Sequence, residues 1–139
     1  MSSRTMLRVL GVVALLPAAL LLSVPVAHAQ AVGCTPVVGL SKDSLGYVNA
    51  QGAADCSHPY RQTAKVTVFI SRSGHGIEGA GPRTCGPGQF SSSGWCLSPY
   101  ASASNPSGLQ TFCGTVYISW KNSAGGAWSS DNAKVCARY

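Results

Sequence analysis

Carboxylates are scarce in this chain: four Asp and Glu side chains in 139 residues, against ten Lys and Arg and three His. General acid–base pairs and metal centres are built from such groups, so their scarcity argues against a hydrolase and against a dedicated metal site. There is no Gly-x-Ser-x-Gly elbow and no pair of acids at suggestive spacing. The nearest approaches to a ligand set are Asp55-x-x-His58 and His75-x-x-Glu78, each with a carboxylate three residues from a histidine. Both lie in Gly/Ser/Pro-rich surroundings, where solvated loop residues are the better reading, so no metal and no cofactor are expected. Amphipathic helical periodicity is missing throughout. Clustered basic residues interleaved with aromatics are missing too, which excludes a nucleic-acid groove on footprint criteria.

What is present begins with a leader. Arg4 and Arg8 precede an apolar run over 9–26 broken by Gly11, Pro17, Ser23 and Pro25, and Ala27-His28-Ala29 supplies the small-x-small pattern before Gln30. This predicts a signal peptide over 1–29, cleaved after Ala29, rather than a membrane anchor, and no membrane association after cleavage. The mature chain, 30–139, is one domain's length, 110 residues. Lys42, Arg61, Lys65, Arg72, Arg83, Lys121, Lys134 and Arg138 oppose Asp43, Asp55, Glu78 and Asp131, a net charge of +4, with the bases scattered singly along the sequence. All six cysteines, Cys34, Cys56, Cys85, Cys96, Cys113 and Cys136, lie in this part. An even set behind an export signal predicts three disulfides and an extracellular location, and removes the thiols from the candidate nucleophiles.

Alternation of period two marks strands. In 63–71 the even positions Ala64, Val66, Val68 and Ile70 are apolar and the odd ones mostly polar, Phe69 excepted. In 110–120 the even positions Phe112, Gly114, Val116, Ile118 and Trp120 form the apolar set, and in the last segment Ala133, Val135, Ala137 and Tyr139 do. A hairpin centred between Ala124 and Gly125 opposes Cys113 to Cys136, and Phe112, Gly114 and Val116 to Ala137, Val135 and Ala133. One register then satisfies both the pattern and a cross-strand cysteine pair, and a one-residue slip breaks both, which predicts Cys113–Cys136. Of the three pairings open to the remaining four cysteines, Cys85–Cys96 with Cys34–Cys56 is preferred, because the first bridge staples a stretch poor in core-forming residues. The fold expected is an all-β, disulfide-stapled antiparallel β-sandwich, immunoglobulin-like or similar, in a single domain.

Between Ser71 and Gly108 eight glycines and four prolines surround Ile77, Phe90, Trp95, Leu97 and Tyr100. This reads as a long loop, interrupted at most by a short strand around 95–100, with Phe90 and Trp95 capping the core or, in the sharper reading, aromatics among Phe90, Trp95 and Tyr100 facing a partner. Arg83, two residues before Cys85, has the form of a substrate-like protease-inhibitor residue on a disulfide-braced loop, beside the plainer reading of an exposed arginine. The apolar stretch 31–40, centred on Val37-Val38-Gly39-Leu40, reads as this domain's own edge strand or as a strand offered to another protein's sheet.

The Ala/Val/Leu-rich leader, few Lys and Glu, a Gly/Ser-rich body and six cysteines together resemble the small secreted six-cysteine β proteins of actinobacteria, such as the adaptor subunit of umbrella toxin particles. The resemblance covers size, export and cysteine-rich β character, and implies a protein that bridges two larger subunits without catalysis of its own. The expected partner is therefore another secreted protein, a larger subunit or a protease, contacted through Arg83, Phe90, Trp95 and Tyr100. The alternatives are a serine-protease inhibitor acting through Arg83 and a stand-alone antibacterial or carbohydrate-binding protein using Trp95, Tyr100 or Trp128.

Overall fold

A computed structural model describes residues 32–139, so the expected leader over 1–29 lies outside the described residues. Eight strands follow in chain order: β1 (Cys34–Lys42), β2 (Tyr47–Cys56), β3 (Thr63–Arg72), β4 (Ile77–Cys85), β5 (Trp95–Leu97), β6 (Ala101–Ser104), β7 (Thr111–Lys121) and β8 (Ser129–Arg138). One sheet runs β1-β2-β5, with β6 also pairing β2 beyond β5; the other runs β4-β3-β7-β8, and every pairing is antiparallel. The second and seventh strands sit inside their sheets while sequence neighbours β2 and β3 lie in opposite ones, the connectivity of an immunoglobulin-like sandwich.

The core follows from the alternation. Ala64, Val66, Val68 and Ile70 of β3 are fully buried, and Phe112, Val116 and Ile118 of β7 lie beside them. Each such Val, Ile or Phe contributes roughly 1.5–3 kcal/mol relative to the exposed side chain. The facing sheet supplies mostly small residues, Val48, Ala50, Ala54 and Cys56 of β2, with Val38 and Leu40 of β1 packed against them. Small residues are needed there because the sheets approach closely. A Cβ built on Gly52 would sit 2.5 Å from Val116 Cγ2.

All three disulfides take the expected pairing. Cys113 opposes Cys136 in the β7–β8 ladder, in the register the sequence predicts, and Cys34 opposes Cys56 in the β1–β2 ladder. Cys85–Cys96 differs in kind: it joins β4 of one sheet to β5 of the other and is buried. The segment 34–42 packs in cis as β1, the first of the two readings of the apolar N-terminal stretch.

The long loop expected over 71–108 is not a loop. It holds β5, where the short strand around 95–100 is expected, and in addition β4 and β6, which are not expected. Alternating apolar residues are replaced in β4 by Gly79 and Gly81, whose inner faces lie against the Ser102 and Pro99 backbone, where a Cβ on Gly81 would overlap the Pro99 carbonyl. Close backbone approach thus removes the very side chains that would signal a strand. At the mouth of the β3–β4 hairpin, Arg72 and Glu78 form an ion pair at 2.9 Å.

Candidate functional site

Trp95 and Leu97 flank the buried Cys96 on β5, so alternation turns both away from the core, onto the outer face of the first sheet. The register aligns Leu97 with Ala53 of β2, and Ala53 with Val37 of β1. Tyr100 joins this row through an irregularity. Ala53 pairs with Leu97 but Ala50 with Ala101, so β5 and β6 together carry one residue more than the β2 stretch they oppose. The extra residue is absorbed as a bulge at 98–100. Ser98 holds it: its hydroxyl accepts from Gly52 N at 3.0 Å and donates to Pro99 O at 2.8 Å, and its N donates to Gly52 O at 2.8 Å. Gln51 Nε2 adds a donation to Ser98 O at 3.1 Å. Tyr100 is thereby extruded and 61% exposed.

The result is a shallow groove of about 290 Å3. Its floor is small, Gly39, Gly52 and Ala53, and its walls are Val37, Trp95, Leu97 and Tyr100. No charged side chain lines it, and its nearest polar groups are Gln51, already bonded, and Ser41. A polar border surrounds it. Asp55 lies opposite Trp95 and Thr35 at one end. At the other, Asn49 Nδ2 donates to Asp43 Oδ2 at 3.0 Å, and Ser102 Oγ donates to Asn49 Oδ1. Asp43 also accepts from the Tyr47 and Leu45 backbone NH groups, each at 2.9 Å. The Tyr47 bond first, then the Asn49 amide, hold its carboxyl below the ordinary value. An apolar centre with a polar rim is the anatomy of a protein-binding surface.

Of the four residues expected to contact a partner, the fold brings two together, Trp95 and Tyr100. Phe90 is half-buried and packs on the core, taking the core-capping reading. Arg83 is exposed but sits within β4, paired with Val66, so it does not ride a projecting loop as the inhibitor reading assumed. Val37 and Ala53 complete the site. Neither carries a signal alone, and only the pairing of β1 with β2 places them beside Leu97.

The acids and histidines are dispersed. Glu78 is engaged by Arg72. Among the described residues no three His, Cys, Asp or Glu side chains converge as a metal site would require. Ser57 Oγ lies 2.9 Å from His58 Nδ1, but the hydroxyl also bridges Gly33 N and O, each at 3.2 Å, and no carboxylate orients the ring among the described hydrogen bonds. That bridge fastens the start of β1 to the end of β2.

Compared with known proteins, the chain matches no family model, no curated protein and no solved structure.

Proposed function

We propose that this chain is a secreted, non-enzymatic binding module that docks a larger extracellular protein on the outer face of its β1-β2-β5 sheet, as an adaptor or interaction subunit of an extracellular, antibacterial-type assembly. The observation that carries the reading is the Val37–Ala53–Leu97 row with Trp95 and Tyr100 beside it, an apolar groove held open on a disulfide-braced scaffold. Rigid aromatic anchors around a small-residue floor favour insertion of a partner's apolar side chain, because little side-chain entropy is lost on binding. Three disulfides suit an oxidising environment, and no helix among the described residues is long and apolar enough to cross a membrane.

The test is capture of partners by tagged mature protein in three forms: wild type, Leu97→Asp and Tyr100→Ala. The reading predicts a partner retained by wild type, lost with Leu97→Asp and weakened with Tyr100→Ala. Equal retention by all three would remove the groove from the account.

A further inference from the structure

The opposite face of the molecule, the outer surface of the β4-β3-β7-β8 sheet, collects basic residues that the sequence scatters. Strand alternation places Lys65 of β3, Lys121 of β7, and Lys134 and Arg138 of β8 on it. Trp128, in the β7–β8 connection, draws two of them together. Lys65 Nζ lies 4.5 Å and Lys121 Nζ 5.3 Å from its ring centroid. The two ammonium groups are thus at most about 10 Å apart on one indole. Among the described residues neither is ion-paired, the salt bridge found there being Arg72–Glu78. Asp131 brings one carboxylate to the lining of the trough beside them, its Oδ1 accepting from its neighbour Asn132 N at 2.8 Å.

Beside this clamp runs a shallow trough of about 430 Å3 whose lining includes Lys65, Thr67, Tyr117, Ser119, Ser130 and Asn132. Thr67, Tyr117 and Asn132 are aligned across three strands by the register. Tyr117 is 53% exposed and stacks edge-on with Phe69 at 5.8 Å. Lys134 lies two strands over and four residues along from Lys65, about 17 Å away at ordinary sheet spacings. The face is therefore flat, rich in hydroxyl and amide groups, and positively charged at intervals, with aromatic rings but no apolar pocket.

We propose that this face binds a polyanionic polysaccharide strand, a sugar polymer bearing carboxylate or sulfate groups. Its acid groups are met by the Lys65–Lys121 clamp and by Lys134, and its hydroxyls by the Thr67–Tyr117–Asn132 row. Charge complementarity selects a polyanion. The hydroxyl-lined trough favours a sugar polymer over an acidic protein, whose apolar anchors would find no pocket, and over a nucleic-acid duplex, whose denser charge calls for more closely spaced cations. This inference is independent of the groove on the other sheet.

The experiment is calorimetric titration of the mature protein at low ionic strength with polygalacturonate, dextran sulfate and neutral dextran, and with poly-L-glutamate and a short DNA duplex as non-sugar polyanions. The proposal expects binding to both charged glycans and none to dextran. Lys65→Gln/Lys121→Gln should weaken glycan binding roughly tenfold or more, Lys134→Gln should weaken it less, and Leu97→Asp should leave it unchanged. Unchanged urea midpoints establish that the variants are folded. Failure of both charged glycans to bind, equal binding to poly-L-glutamate or DNA, or undiminished binding by the double variant would overturn it.

Discussion

Removing the Cys85–Cys96 bridge, by Cys85→Ala with Cys96→Ala, should cost more than either other bridge at the site and about as much in stability. The loop it closes has a sequence separation of 11, for which chain entropy predicts about 3 kcal/mol. Both sulfurs are buried, Cys85 at 1% and Cys96 at 0% exposure, so two small voids add of order 1 kcal/mol. The bridges Cys34–Cys56 and Cys113–Cys136 close longer loops, separations 22 and 23, for which the same relation gives roughly 3.4 kcal/mol each. Those two reinforce strands already hydrogen-bonded to each other, whereas Cys85–Cys96 is the covalent link between the sheets and sits between Trp95 and Leu97. Urea unfolding should show midpoints lowered by about 2 M for either kind of variant, taking a slope near 1.5 kcal/mol/M. Amide exchange should separate them: the Ser98 amide, which donates to Gly52 O of β2 at 2.8 Å, and the Cys56 amide, which donates to Gly94 O at 3.1 Å, should lose protection only in the Cys85→Ala/Cys96→Ala variant. A loss under about 1 kcal/mol, or equal protection at β5 in both variants, would refute the argument that this bridge sets the groove wall.

Three further outcomes are expected. Gly52→Val should destabilise by about 1–3 kcal/mol or more through overlap with Val116, with part of the loss recovered when Val116→Ala is added, as a double-mutant cycle in urea would measure. Gln62 is fully buried, accepts from His58 N at 2.7 Å and donates to Asn122 Oδ1 at 2.8 Å, so Gln62→Ala, which leaves these partners unmet, should cost about 1–3 kcal/mol by the same assay. Asp43 is held below its ordinary value of 3.8, so its contribution to the β1–β2 turn is complete above that pH and is lost as pH falls through the lowered folded value; amides of Leu45 and Tyr47 should lose order over that acid range, and Asp43→Ala should abolish the pH dependence.

The strands with large apolar residues were legible in the sequence, and so was the registration of the last two, because Cys113–Cys136 and the Phe112–Val116 phase select one pairing together. β4 and β6 were not. Gly79 and Gly81 serve close packing against the Ser102 and Pro99 backbone, and Ala101 and Ala103 are buried side chains too small to stand out among serines. Glycine and proline punctuation therefore imitated a loop where the sheets come nearest. At the candidate site Trp95 and Tyr100 declared themselves as aromatics outside any clear core pattern. Their neighbours Val37 and Ala53 are ordinary strand residues whose meaning depends on pairing across three strands. The basic face was hidden for the same reason: Lys65, Lys121 and Lys134 are far apart in sequence and meet only through the β3-β7-β8 ladder.

We propose the groove on the β1-β2-β5 sheet as the docking surface for a larger secreted protein. Its most direct test is recovery of partners on tagged mature protein from the producing organism's culture fluid, identified by mass spectrometry, with wild type, Leu97→Asp and Lys65→Gln/Lys121→Gln compared side by side. A large secreted subunit is expected in fixed ratio on wild type and on the lysine variant, and is expected to be lost with Leu97→Asp. Recovery that is indifferent to Leu97→Asp, or no secreted protein recovered at all, would contradict it.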